Sequence, residues 1–493
     1  MQTILHHPMW KILLALYGLL WGIALIITFL GYLIIWALDE PFSFPIAFVS
    51  NFFACTALFI ILWAFLDRRF FNVRPSAAIA FPGDAGPWLS WPADPSTGII
   101  INWITASKSP GIVEFGHSPE SFHRIEGSLD CAHHLEIRDL APGTTYHYRI
   151  PHFGEKLKVY SFRTAPSSSQ MQNVCRFVVV GDTQNGGGQV TADWALPHLM
   201  DVIKTHQFDF ILNVGDFTDQ GNDMGSWLVA LRTITRVAAN KPFQIAVGNH
   251  DTGTHYMKDP TKPKKFWDEG ANFDYILGYK YETPSTENEI TPFKGRYYTR
   301  RFAHCVFFFV DTQNSKMAEP NNPQWSWLDR ELEAVPAGLW KIIVVHRDLV
   351  SVKARRGKNY NYDYDKFAAF IVPILAKHHV DLVFQGHDHT LNVMRWDFGP
   401  DLLTLPDDRT IMDTDPRFAP KFKPIWFITS GGAGNELREN PGIHAKDVDV
   451  QGFQYFEDTS HFLLVNISED FCTIEARDAQ NQIRYSLEIP RNQ

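Results

Sequence analysis

The segment Phe210-Ile211-Leu212-Asn213-Val214-Gly215-Asp216-Phe217-Thr218-Asp219 decides the reading of this chain. A short, mostly apolar run reads as a fully buried strand rather than a helix. The glycine after it permits a tight turn, so the next side chain, an aspartate, leaves the strand end as a polar group. One such segment is an ordinary structural turn. Four more follow the same grammar. Residues 177–180 run into Gly181-Asp182-Thr183-Gln184-Asn185. Residues 245–247 run into Gly248-Asn249-His250-Asp251. Residues 342–345 end at His346, and residues 382–385 run into Gly386-His387-Asp388-His389. Helical patterns over 193–205 and 225–238 lie between strands, and 306–310 and 425–428 read as further buried strands. The whole is an α/β pattern.

Each of these strands delivers Asp, Asn or His to its C-terminal end, the edge at which open α/β folds bind ligands. Carboxylate, amide and imidazole together suit divalent transition metals such as Mn, Fe or Zn better than an all-oxygen Ca site. Two ions about 3.5–4 Å apart need a carboxylate that bridges both.

Taken in order, the five segments resemble the calcineurin-like metallophosphoesterase superfamily, whose pattern is GDxH, GDxxD, GNHD/E, a strand ending in His, and GHxH. Four match fully. The first carries Gln184 where His is usual. The resemblance implies a β-sandwich flanked by helices (αββα) and a centre of two divalent metal ions. In that centre Asp216 bridges, Asp182, Gln184 and His389 complete the first site, and Asn249, His346 and His387 complete the second. It also implies phosphate mono- or diester hydrolysis by a metal-bridging hydroxide, with His250 as general acid and Asp251 orienting its imidazole. Asp219 is left to hold a loop or a hydrogen bond behind the ligands. An amide oxygen binds transition metals less tightly than imidazole, so Gln184 predicts a weaker first site. A catalytically impaired metal-binding scaffold or interaction protein at the membrane is the alternative that Gln184 keeps open.

Ahead of this region, short β-type runs at 98–103, 112–115, 134–137 and 146–150 predict a small all-β sandwich. Leu140-Ala141-Pro142-Gly143-Thr144-Thr145-Tyr146-His147-Tyr148 resembles a stretch of fibronectin type III-like domains, and more closely the domain that precedes the catalytic part of purple acid phosphatases. The tyrosine ligand expected in those enzymes' second motif is not visible in residues 215–220.

Further out, residues 12–38 and 41–66 carry no charge. Each run is long enough to cross a hydrocarbon core of about 30 Å as a helix. Two transmembrane helices are therefore expected, with the lipid bilayer as a partner through 12–66. The predicted organisation is an anchor at 1–73, a Pro/Ala/Gly-rich linker at 74–87, the sandwich at 88–166 and the metallophosphoesterase domain at 167–493. Lys11, Arg68, Arg69 and Arg74 flank the hairpin, whereas its turn has no basic residue, so flanking charge places the catalytic domain in the cytoplasm. The alternative, periplasmic or extracellular, follows the habit of sandwich-bearing relatives.

Composition limits the remaining classes. The 493 residues carry a net charge of −9. Residues 1–73 hold three basic and three acidic residues, so the whole excess lies in the remainder. An acidic chain without a basic, aromatic stripe is a poor nucleic-acid binder. Cys55, Cys131, Cys175, Cys305 and Cys472 are too scattered for a disulfide scaffold. Residues 254–295 read as a long insertion beside the site, and 347–364 as a basic loop. Gly431-Gly432-Ala433-Gly434 lacks Gly-Lys-Ser/Thr and reads as a turn facing the site. The expected partner is a phosphoester, with membrane proximity favouring a membrane-associated one. The oligomeric state is not legible.

Overall fold

The computed structural model describes residues 83–154, 157–167, 174–184, 194–252, 270–277, 296–313, 322–354, 360–363, 368–396, 423–434 and 452–491. The hairpin at 12–66 lies outside the described residues. Among the described residues no helix is long and apolar enough to cross a membrane.

The N-terminal domain is built from β1 (Ala85–Ser90), β2 (Ile99–Ser118), β3 (Ser121–Ile137), β4 (Thr145–Arg149) and β5 (Tyr160–Arg163), hydrogen-bonded as one five-stranded sheet. Two runs read separately from the sequence, 98–103 and 112–115, are one strand. Lys108-Ser109-Pro110-Gly111 has turn composition, but the chain passes through it with shifts in register between Ile104 and Ser109 and between Pro110 and Ile112. Bulges of this kind accommodate Pro and Gly while bending the strand. The first half of β2 pairs with β1, and its second half with β4. β1 begins at Ala85, inside the segment read as linker, because Trp88 and Leu89 are already buried.

The second region alternates β6 (Cys175–Val180), α1 (Ala195–Ile203), β7 (Phe210–Asn213), α2 (Met224–Ala238), β8 (Phe243–Ile245), α3 (Ala271–Leu277), β9 (Tyr298–Phe302), β10 (Cys305–Val310), α4 (Pro323–Glu333) and β11 (Trp340–Val345). A hairpin, β12 (Ser351–Ala354) and β13 (Tyr360–Asp363), precedes α5 (Ala368–Lys377), β14 (Leu382–Gln385) and β15 (Leu391–Trp396). The chain closes with β16 (Ile425–Ser430), β17 (Phe453–Glu457), β18 (Phe462–Ile467), β19 (Phe471–Arg477) and β20 (Ile483–Pro490).

These strands form two sheets, ordered β20-β19-β18-β6-β7-β8 and β17-β15-β16-β14-β11-β10-β9. Phenylalanines join them face to face: Phe177 of β6 meets Phe307 of β10 and Phe384 of β14 edge-on, with ring centroids 5.4 and 5.8 Å apart. Edge-to-face geometry suits the aromatic quadrupole. On the far face of the seven-stranded sheet, Trp325, Leu328 and Leu332 of α4 and Ile371 and Leu375 of α5 share a core with Ile343, Val383 and Phe427. Helices α1 and α2 pack their apolar stripes into the core of the other sheet. Asp223 caps α2 by accepting from Gly225 and Ser226 amides, and Asn322 with Pro323 starts α4. The layers are the expected αββα.

Parallel pairing positions the site. β6, β7 and β8 run parallel, as do β11, β14 and β16. All the ligand-bearing loops therefore leave from C-terminal strand ends.

Candidate metal centre

The loops after β6, β7 and β14 make their turns with unusual backbone. Asp182, Asp216 and His387 have φ of 52°, 51° and 69°. Non-glycine residues seldom adopt the left-handed region, and where they do the surrounding bonds must hold them. Here they do so. The Asp182 amide donates to the Gly215 carbonyl at 3.0 Å, and the Thr183 amide to the Asp216 carbonyl at 2.9 Å. The His387 amide donates to both Asp182 carboxylate oxygens, at 3.0 and 2.9 Å. Gly248 must be glycine for space: a Cβ there would lie 2.0 Å from the Asp216 nitrogen. Gly215, at φ +99°, would bring a Cβ to 2.6 Å from His346 Nδ1.

The side chains from the two sheets converge. Ligand atoms of Asp216, His346 and His387 lie within 4.8 Å of one another. His346 Nε2 is 3.2 Å from Asp216 Oδ2 and 3.0 Å from Asn249 Oδ1. Its Nδ1 donates to the Val214 carbonyl at 3.0 Å. That bond orients the ring with Nε2 turned toward two oxygens. On the other side, His389 Nε2 lies 3.1 Å from Gln184 Nε2 and 3.5 Å from Asp182 Oδ1. Gln184 Oε1 is buried without a hydrogen-bond partner.

Charge tells the same story. Burial and the Asp216 charge push the Asp182 carboxyl well above its usual range. Burial opposes the Asp216 charge too, but His346 and His250 beside it hold that carboxylate low. Imidazole nitrogens beside carboxylate and amide oxygens, an orphaned amide oxygen and two close carboxylates form a set that a divalent cation would satisfy. Asp216, His346 and His387 form the cluster that could hold one ion; Asp182, Gln184 and His389 lie together beside it as donors that a second would need. The structure thus brings all seven residues named from the sequence to one edge.

His250 and Asp251 are arranged differently from the expectation. His250 Nδ1 donates to the backbone carbonyl of Asp219 at 2.7 Å, which leaves Nε2 toward the centre, 3.9 Å from Asp216 Oδ2. Burial lowers the His250 pKa, but the Asp216 charge and the Asp219 carbonyl outweigh it, and the net direction is upward. Asp251 does not orient this ring. Its Oδ1 accepts from the Phe217 and Thr218 amides at 2.9 and 3.0 Å, and its Oδ2 from the Gly248 amide at 2.9 Å. The buried carboxylate ties the Asp216 turn to the Asn249 turn, and burial with the Asp216 charge lifts its pKa to about 7. The correction has a simple reason. The turn at 248–251 leaves both loops with inward amides, and the short Asp side chain reaches those first.

Three supports lie behind the ligands, and two of them, Trp194 and His461, were not read from the sequence. Trp194 Nε1 donates to the Thr183 carbonyl at 2.8 Å. The glycine loop 431–434 packs behind Asp182, so that a Cβ on Gly431 would lie 2.9 Å from Asp182 Oδ2 and one on Gly434 would lie 2.7 Å from the Gln184 carbonyl. His461, fully buried behind that loop, lies 3.2 Å from Ser430 Oγ through Nε2 and 2.8 Å from the Thr459 carbonyl through Nδ1. Only the glycine run signalled any of these.

With the geometry in place, comparison with known proteins shows what the chain is similar to. Residues 175–391 match the calcineurin-like phosphoesterase family. Residues 86–164 match the purple acid phosphatase N-terminal domain. Purple acid phosphatase 21 of Arabidopsis thaliana is 27% identical over 295 residues, 57% of this chain and 59% of the relative. Probable inactive purple acid phosphatase 27 of the same plant is 22% identical over 351 residues, 66% of this chain and 52% of the relative. The match thus spans somewhat over half the length of these relatives. The purple acid phosphatase PPD1 from yellow lupin (Lupinus luteus) seeds shares the fold, with a TM-score of 0.62 at 16% identity over 83% of this chain and 74% of that one. These families use a dinuclear metal centre, and they fit a metal-dependent phosphoric ester hydrolase.

Proposed function

We propose that this chain is a divalent-metal-dependent phosphoesterase, hydrolysing phosphate mono- or diesters close to a membrane. The convergence of Asp216, His346 and His387 beside the ring of His250 carries the reading. Two divalent cations held by the seven ligands would supply Lewis-acid polarisation of the phosphoryl group and neutralise its charge. The chain's own contribution is positioning. The Val214 carbonyl and the Asp251 carboxylate fix the ligand geometry before substrate arrives. The Asp219 carbonyl holds the His250 ring, so its Nε2 is the atom placed to give a proton to the leaving oxygen.

The expected experiment is hydrolysis of an aryl phosphate by the full chain supplied with Mn, Fe or Zn. Turnover abolished by His346→Ala supports the reading, and unchanged turnover overturns it. A second reading, a catalytically impaired metal-binding scaffold, draws on Gln184 and on the relative named as probably inactive. It predicts metal binding without turnover in the same assay. Anchoring through 12–66 with the catalytic domain cytoplasmic rests on the uncharged runs and their flanking arginines. Protease digestion of the domain in intact cells would contradict that sidedness.

A further inference from the structure

A second concave site lies at the opposite end of the six-stranded sheet from the ligand loops. It is a cavity of about 230 Å³ between the N-terminal domain and the starts of β6, β7 and β8. Gly143, Arg163 and Thr164 line one side, and Arg176, Asp209 and Lys241 the other. A strand such as β6 spans about 20 Å at roughly 3.3 Å per residue, so this cavity is separate from the metal centre.

Three cations meet there. Lys241 Nζ donates to the Phe208 carbonyl at 2.5 Å, and Arg163 Nε to the Gly143 carbonyl at 2.9 Å. Both bonds aim the side chains and neutralise nothing. Arg176 bonds Asp209 through its backbone alone, its amide donating to Oδ2 at 3.1 Å and its carbonyl accepting from the Asp209 amide at 2.8 Å, so its guanidinium keeps its donors among the described residues. None of the three makes an ion pair within 4.0 Å among the described residues. Asp209 supplies the single carboxylate of the lining, leaving an excess of two positive charges when all are ionised. Burial pushes the Lys241 ammonium down and the Asp209 carboxyl up. A half-buried ammonium, two arginines and an apolar floor of Phe208 and Phe302 form a concave surface whose positive charge Asp209 balances only in part. Cationic clefts with low-dielectric walls concentrate anions, and guanidinium forks match tetrahedral oxyanions.

We propose that this interdomain cavity binds a small, doubly charged oxyanion of the phosphate class. The occupant touches residues of both domains and clamps one to the other. Binding to the folded state alone stabilises it by mass action, so phosphate raises the melting temperature of the chain.

The test is equilibrium dialysis of the full chain with labelled inorganic phosphate, after chelation of divalent metals and in the His346→Ala variant, so that the metal centre takes no part. About one phosphate per chain is expected to survive both treatments, with affinity at least about tenfold weaker in Arg163→Ala/Arg176→Ala. Arg163→Lys/Arg176→Lys restores most of the binding, and sulfate competes. Should the double alanine variant misfold, Arg176→Glu alone reverses one exposed charge and is expected to abolish binding. Absence of chelator-resistant phosphate, or undiminished affinity in the alanine or glutamate variants, overturns the proposal. Neither result depends on whether the chain hydrolyses phosphoesters.

Discussion

The two halves of the metal centre are built from the same strand-end grammar and come out unequal. Around Asn249, His346 and His387, two imidazoles join one amide, the His346 ring is locked by the Val214 carbonyl, and Asp251 staples the neighbouring turns through three amides. Around Asp182, Gln184 and His389 there is one imidazole, an amide oxygen with no partner, and support borrowed from Trp194, a glycine loop and a buried histidine. Ligand identity explains part of the difference, and the backing explains the rest. The second half is preorganised by groups within its own loops. The first half depends on a distant strand end staying in place.

The largest effect tests what the halves share. Asp216→Asn removes the charge placed between them and is expected to lower kcat at least about 10³-fold while releasing metal from both. Full turnover with one ion retained would break the comparison, because the halves would then work independently. Next comes the proton donor. His250→Ala is expected to lower kcat by about 10²–10⁴-fold with metal content unchanged. Asp219→Ala, which leaves the carbonyl in place, should cost about tenfold or less, since the backbone oxygen at 2.7 Å holds the ring more closely than the carboxylate at 4.0 Å. A larger loss in that variant would return the orienting role to a carboxylate.

Asp251→Ala isolates the backing of the second half. Three buried amides lose their acceptor, and a cost of about 3 kcal/mol or more is expected in chemical denaturation. Asp251→Asn should fall between, because an amide offers one acceptor oxygen where three N–H groups need them.

A fourth test concerns the first half. Burial lowers the pKa of His461 to about 4, against about 6.5 for a free histidine. The neutral ring is favoured in the folded chain, so its contribution is complete above the unfolded value and is lost as pH falls toward 4. The difference amounts to about 3 kcal/mol over that window. Asp251, with its raised pKa, gains stability over the same window, so the test is the difference: from pH 7 to pH 5 the parent should lose more midpoint, or gain less, than His461→Gln. The same pH dependence in parent and variant would show that this histidine does not guard the first half.

How much of this was legible follows from which groups act. Asp216, His346 and His387 were visible because each is a side chain in a fixed relation to a buried strand, and strand ends of parallel sheets share one edge. The orienting carbonyl of Asp219 was not, since a backbone oxygen leaves no mark in residue type. Asp251 misled because its motif position is adjacent to His250, whereas its oxygens reach amides of residues 217, 218 and 248 first. The single strand β2 was hidden by Lys108-Ser109-Pro110-Gly111, whose composition suits a turn as well as a bulge. His461 and the cavity beside Lys241 depend on contacts between segments far apart in sequence, which no local pattern announces.

The asymmetry of the two halves is tested most directly by counting metal. The full chain, loaded with Mn and dialysed against chelators of rising strength, should release two ions in two stages, the first from the half that holds Gln184. Gln184→His should tighten that stage by about tenfold or more and draw the two together. Release of both ions in one stage that Gln184→His does not move would contradict the account.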